Sequence, residues 1–254
     1  MDDQALLGLA ADLARQAGAT ILTIRARGFD TVRKADASPV TEADRAAEAL
    51  ILAGLRRATP DIPTVAEEAM AAGDVPPPAD TFWLVDPLDG TREFIALRDD
   101  FAVNVGLVRD GRVVLGAVGV PASGEVFGGI VGRGAWKRDS AGEHAIRARR
   151  IPAAGAVVVA SRFYAAEPRL AEFVRQRKAA SLVNMGSAVK FCRLAEGAAD
   201  LYPRFGRTME WDTGAPQAVL EAAGGSVVVA ETGEPLRYGK PGWDNPHFIC
   251  AGLR

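Results

Sequence analysis

Leu6, Leu9, Leu13, Ala17, Ile21 and Ile24 recur at steps of three and four residues, a spacing that predicts one long helix stopping near Gly28. A second helix is expected after Pro39. Thr41 is a good N-cap, Asp44 stands three residues on, and Ala47, Leu50, Ile51 and Leu55 make an apolar face ending at Thr59-Pro60. Asp44 is thereby placed in a helix's first turn. From Val65 the pattern changes to a short apolar, strand-like run closing on Glu67-Glu68, then a loop at Pro76-Pro77-Pro78. Phe82-Trp83-Leu84-Val85 follows and reads as a buried strand ending on Asp86. Residues 101–108 and 112–120 flank Asp110-Gly111, a strong hairpin signal, and residues 125–130 supply a further strand. The first half therefore reads as helices packed on an antiparallel sheet.

A polar stretch, 137–150, separates this half from Val157-Val158-Val159, where strands and helices alternate. Helices are expected over 169–177, 187–199 and 213–223, and strands over 181–184, 226–230 and 247–251. The expected class is α/β (α+β), with an α+β lobe over 1–150 and an α/β lobe over 151–254. The glycines between Gly128 and Gly134 are not followed by a helical pattern, so they read as strand ends and turns, not as a dinucleotide loop.

Composition narrows the partners. A net charge of −2 over 254 residues offers no general attraction to a nucleic-acid polymer or an anionic membrane. The acidic start Met1-Asp2-Asp3 lacks the basic end and apolar block of an export signal. No run reaches the length of a membrane span, so stable membrane insertion is not expected and the cytoplasm is the expected location. Cys192 and Cys250 have no CxxC spacing and read as reduced core residues. His144 and His247 lack ligand spacing and read as structural.

The most informative segment is Asp86-Pro87-Leu88-Asp89-Gly90-Thr91. It sets two carboxylates three residues apart in a turn at a strand end, with Pro87 fixing one backbone angle and Gly90 permitting positive φ. Thr91 is expected to cap the next helix, so cation-binding oxygens would stand beside anion-binding N–H groups. Asp-Pro and Asp-Gly are also ordinary turn formers. Glu67-Glu68 upstream and Asp212, beginning a helix after Trp211 downstream, raise this pair above that reading. On a strand the two glutamates would face opposite ways, and Glu67 is taken as the one facing the site. Two unit charges about 4 Å apart at an effective dielectric near 20 interact by about 4 kcal/mol, so four converging carboxylates require compensation. An all-oxygen set without His or Cys points to Mg²⁺ or Mn²⁺.

These residues resemble the inositol monophosphatase family. Asp86-Pro87-Leu88-Asp89-Gly90-Thr91 and Glu210-Trp211-Asp212-Thr213-Gly214-Ala215 match its motifs, with Pro39-Val40-Thr41-Glu42-Ala43-Asp44 and Glu67-Glu68 in the expected order. Thr91-Arg92-Glu93-Phe94-Ile95, Lys190-Phe191-Cys192, the stretch from Ala198 to Arg204, Lys240-Pro241 and Asn245-Pro246 are most similar to the bacterial 3′(2′),5′-bisphosphate nucleotidases of sulfate assimilation. Ala188, where another hydroxyl residue is often expected, and Ser161-Arg162-Phe163, where relatives carry a histidine, depart from that pattern.

The resemblance implies a layered αβαβα sandwich and a phosphate monoester hydrolase using two or three Mg²⁺, with Mn²⁺ as an alternative. Glu67, Asp86, Asp89, Asp212 and the Leu88 carbonyl would hold the metals. Glu67 and Asp86 would hold the ion that activates water, and Asp86, Asp89 and Asp212 the one facing the leaving oxygen. Asp44 would orient the Thr91 hydroxyl as proton acceptor. Gly90, Thr91, Ser187, Lys190 and Arg204 would bind substrate, with Ser187 and Lys190 one helical turn apart and Arg204 offering a bidentate fork. The expected substrate is adenosine 3′,5′-bisphosphate, yielding AMP, with lithium sensitivity and a monomer or homodimer implied. An inositol or sugar monophosphatase is the alternative within enzymes. A non-catalytic metal or nucleotide sensor is the alternative of another class.

Overall fold

The computed structural model describes residues 1–33 and 39–253. Its first half comprises α1 (Asp3–Arg27), the ribbon β1 (Thr31–Arg33) and β2 (Pro39–Thr41), α2 (Glu42–Ala58), β3 (Thr64–Ala66), α3 (Glu67–Ala71), β4 (Thr81–Asp89), α4 (Thr91–Ile95), β5 (Ala102–Arg109), β6 (Arg112–Val120), β7 (Glu125–Ile130), β8 (Gly134–Asp139) and β9 (Gly142–Ile146). The second half comprises β10 (Val157–Ser161), α5 (Pro168–Gln176), β11 (Ser181–Met185), α6 (Val189–Ala195), β12 (Leu201–Arg204), α7 (Glu210–Ala222), β13 (Ser226–Val229) and β14 (Phe248–Ala251).

The caps act where the sequence places them. Asp2 accepts from the Ala5 amide, and Gly28, at φ 87°, ends α1. Thr41 and Asp44 close a reciprocal capping box on α2. Asp110 and Gly111, both at positive φ, turn the β5–β6 hairpin as the pattern predicts.

Strands β3 to β9 form a seven-stranded sheet in chain order, and β11-β10-β12-β14-β13 a five-stranded one. The larger sheet is antiparallel except for the parallel pair β3–β4. Helices α1 and α2 cover one of its faces, and α7 covers the other. Helix α6 packs beside α7, and these two lie between the sheets, while Phe173 of α5 joins Val158 and Leu201 on the outer face of the smaller sheet. The layers thus run α, β, α, β, α. Close approach of α7 to the larger sheet depends on Gly106 and Gly116. A Cβ at either would stand 2.7 Å or 2.4 Å, respectively, from the backbone of Ala215.

Several elements differ from the expectation. The stretch 137–150 carries the second half of β8 and all of β9, the exposed edge strand, and the polar side chains of both mask the β pattern. Strand β12 has no clear strand pattern in the sequence because Pro203 lies in it. Glu67-Glu68 open the helix α3 instead of ending a strand. Strand β4 continues through Asp86 to Asp89, with its register broken between them, because the next turn comes only at Gly90. The N-cap of α4 is Gly90, with no side-chain cap, so Thr91 is the first helical residue and not the cap. Helix α6 starts at Val189 because Ser187 is in the left-handed region at φ 48°. Helix α7 starts earlier than expected, at Glu210.

The sheet is joined to α6 by an ion network. Glu125 of β7 accepts from Arg193 at 2.7 Å and pairs with Lys137 of β8, and Glu196 accepts from both cations, at 2.6 Å from Arg193 and 3.0 Å from Lys137. Burial alone would raise the Glu125 carboxyl. Hydrogen bonds from Arg193, Lys137 and Ser123 outweigh it and hold the group at about 2, against a usual 4.5. A carboxylate depressed on folding contributes stability that is complete above the usual value and lost as pH falls toward the folded one. Glu125→Gln should therefore cost about 2 kcal/mol at neutral pH and flatten the acid-induced loss between about pH 4.5 and 2.5, read by urea unfolding across that range.

Candidate active site

The apolar run of β4 buries Trp83, Leu84, Val85 and Leu88 completely or nearly so, and it carries Asp86 into the interior with them, 1% exposed. One oxygen of Asp86 accepts from the Leu88 amide at 3.0 Å, an Asx-type bond across Pro87 that sets the side chain's direction. The register break before Asp89 lets both aspartates serve one site although an unbroken strand would face them oppositely. Asp89 accepts from the Ala188 amide, tying the turn to the start of α6. At Gly90, φ is 96° and a Cβ would lie 3.2 Å from the Ser187 side chain, so glycine serves both the turn and the approach of the two halves.

Asp212 in the first turn of α7 accepts from the Met209 amide at 2.9 Å. Asp44 uses its two oxygens differently. Oδ2 accepts from the Thr41 amide at 2.8 Å and the Thr41 hydroxyl at 2.6 Å, while Oδ1 lies 3.0 Å from the Thr91 hydroxyl. Thr91 Oγ1 is also 3.2 Å from the Leu88 carbonyl, so its one proton has two acceptors.

A cleft of about 280 Å³ is lined by Glu67, Asp89, Gly90, Thr91, Ser187, Lys190, Arg204 and Asp212, with Asp86 and Asp44 buried behind it. All the residues singled out from sequence thus fall at one place. Lys190 and Ser187 do not share a helical face as expected. Instead the buried Lys190 ammonium turns back to donate to the Ser187 carbonyl at 2.5 Å and the Met185 carbonyl at 3.3 Å. Arg204 donates to the Gly206 and Arg207 carbonyls and lies over the Tyr164 ring. Glu93, Phe163, Tyr164, Arg207 and Thr208 also line the cleft. Periodicity could not single them out, because Phe163 and Tyr164 sit in a single 3₁₀ turn and Glu93 in a helix of five residues.

The electrostatics record the convergence. Burial raises the Asp86 carboxyl, and repulsion from Glu67, Asp89 and Asp212 raises it further. Asp212 is pushed up to about 7 by burial, then by Asp89 and Glu67. Burial also raises Asp89, against the pull of Lys190, the Ala188 amide and Arg204. Asp44 is raised by burial against its Thr41 hydrogen bonds. Lys190 is lowered to about 8 by burial and by Arg204. Among the described residues no three carboxylate, imidazole or thiol groups already meet at one ligand point. The donor set is nevertheless all oxygen, anionic and mutually repelling, which fits hard divalent cations.

The profile of the inositol monophosphatase family matches residues 2–248. The 3′(2′),5′-bisphosphate nucleotidase CysQ of Escherichia coli O157:H7 is 42% identical over 235 residues, 92% of this chain and 94% of its own length. Its namesake of Salmonella typhimurium is 43% identical over 85% of this chain and 87% of its own. The crystal structure of CysQ from Bacteroides thetaiotaomicron, described as a bacterial member of the inositol monophosphatase family, superposes with a TM-score of 0.83 at 35% identity, covering 99% of this chain and 98% of that one. No helix among the described residues is long and apolar enough to cross a membrane.

A carboxyl raised on folding holds its proton more tightly in the folded chain. Metal-free protein should therefore lose stability as pH rises from about 4 to about 7, the window set by Asp212. In chelator the melting temperature should fall across that window by several degrees, and added Mg²⁺ should raise it more at high pH than at pH 5. A magnesium response that does not depend on pH would mean that these carboxylates do not act together.

Proposed function

The chain belongs to the inositol monophosphatase family, and we propose that it removes the 3′-phosphate of adenosine 3′,5′-bisphosphate, leaving AMP and inorganic phosphate, with magnesium as cofactor. One observation carries this reading. A single cleft combines the acidic residues Glu67, Asp89 and Asp212 with the cations Lys190, Arg204 and Arg207, in a chain similar over 92% of its length to 3′(2′),5′-bisphosphate nucleotidases. A monoester needs one anion site, and a bisphosphate needs a second, which these cations supply.

Glu67, Asp86, Asp89, Asp212 and the Leu88 carbonyl would hold two or three Mg²⁺ ions, with Mn²⁺ as the alternative. When bound, the ions supply Lewis acidity and a lowered pKa for water. Asp86 and Asp212 each direct one oxygen to a backbone amide, which orients the side chain and leaves the other oxygen as ligand. Gly90 and Thr91 receive the scissile phosphate. Because the Thr91 hydroxyl points its proton to Asp44 or to the Leu88 carbonyl, its lone pairs can accept a proton from the attacking water. Asp44, raised by burial, takes the Thr91 proton in turn. Displacement is in line, without a phospho-enzyme. Ser187, Lys190 and Arg204 approach the nucleotide and its 5′-phosphate, and the lobes 1–150 and 151–254 each provide part of the site.

Phosphate release in Mg²⁺ should favour adenosine 3′,5′-bisphosphate over inositol 1-phosphate and fructose 1,6-bisphosphate at equal concentration. Preference for inositol phosphate would keep the mechanism and reverse the substrate, and release from none of them would favour a sensor. Asp44→Asn should lower kcat by about 100-fold or more with KM little changed, while costing only about 1 kcal/mol in urea unfolding. Retained turnover would reduce Asp44 to its capping role.

A further inference from the structure

Asn104 of β5 is fully buried, and neither its Nδ2 nor its Oδ1 has a hydrogen-bond partner among the described residues. It stands directly opposite Asp86 in the β4–β5 register, and such cross-strand partners project to the same face. That face is the one covered by α7. Leu84, two residues before Asp86, packs against Gly214, and Gly106, two after Asn104, lies against Ala215. Asn104 therefore sits on the strand beside Asp86, below the helix whose first turn carries Asp212. Its carboxamide also faces Asp89, whose carboxyl it lowers as a side-chain hydrogen-bond donor would. An unpartnered buried amide costs about 1–3 kcal/mol, which an apolar residue of similar shape would avoid.

We propose that Asn104 is a positioning residue of the cation site, its carboxamide donating to the Asp86–Asp89 carboxylates and accepting from water once the site is loaded. This rests on the magnesium reading above. A buried carboxamide beside Asp86 and facing Asp89, with capacity left for a further partner, suits such a role, because the groups around a ligating carboxylate orient it and tune its affinity.

The probe is Mg²⁺ alone, titrated into the full-length protein and followed by melting temperature and calorimetry. Asn104→Leu should melt in chelator at or above the parent temperature, yet bind Mg²⁺ about 10- to 100-fold more weakly. Asn104→Ser, which keeps a donor, should recover part of that affinity. At saturating Mg²⁺ the leucine variant should show a lowered kcat with KM for the bisphosphate unchanged. If Asn104→Leu does not fold, Asn104→Ala should show the same loss of affinity. Parental Mg²⁺ affinity in the leucine or alanine variant would overturn the proposal and leave the magnesium reading standing. A parent protein that does not respond to Mg²⁺ would overturn both.

Discussion

Bringing Asp86, Asp89, Asp212 and Glu67 together is the constraint around which this molecule is arranged, because buried like charges repel strongly at short range. The fold meets it by tying the three aspartates to backbone amides. Asp86 is bound by its own Asx-type turn, Asp89 by the Ala188 amide and Asp212 by the Met209 amide. Lys190 and Arg204 temper the repulsion around Asp89. Lys190 bears the cost, with its ammonium buried and its pKa lowered to about 8.

Three of the acidic side chains come from the first turns of helices: Asp44 of α2, Glu67 of α3 and Asp212 of α7. Unsatisfied N–H groups and the helix dipole make such positions favourable for anions. Asp44 and Asp212 each bond back to the amide of the residue before their helix, so a capping interaction also fixes the direction of a site carboxylate. In Asp44 one oxygen caps α2 and the other meets the Thr91 hydroxyl.

The site lies where the halves of the chain meet, and that meeting depends on small residues. Gly106 and Gly116 let α7 settle on the larger sheet, and Gly90 lets the turn between β4 and α4 approach Ser187. Bulk at Gly106 or Gly116 would move Asp212 away from Asp86 and Asn104 while leaving every acidic side chain intact. The Glu125–Lys137–Arg193–Glu196 network clamps α6 to the same sheet, which keeps Lys190 at the cleft.

Local chemistry was legible in the sequence. Helix spacing, the Thr41–Asp44 cap, the Asp110-Gly111 turn and the ordered acidic motifs depend on neighbours within a few residues, and they placed α1, α2, the β5–β6 hairpin and the candidate ligands. Features set by distant partners were not legible: the register break within β4, the strand β8 and the edge strand β9, the return of Lys190 to the Ser187 carbonyl, and the place of Asn104. An asparagine in a strand reads as a minor polar interruption. Only packing against β4 and α7 shows that it lies buried beside Asp86 and faces Asp89, because proximity across 18 residues of chain is a property of the folded arrangement and not of the local pattern.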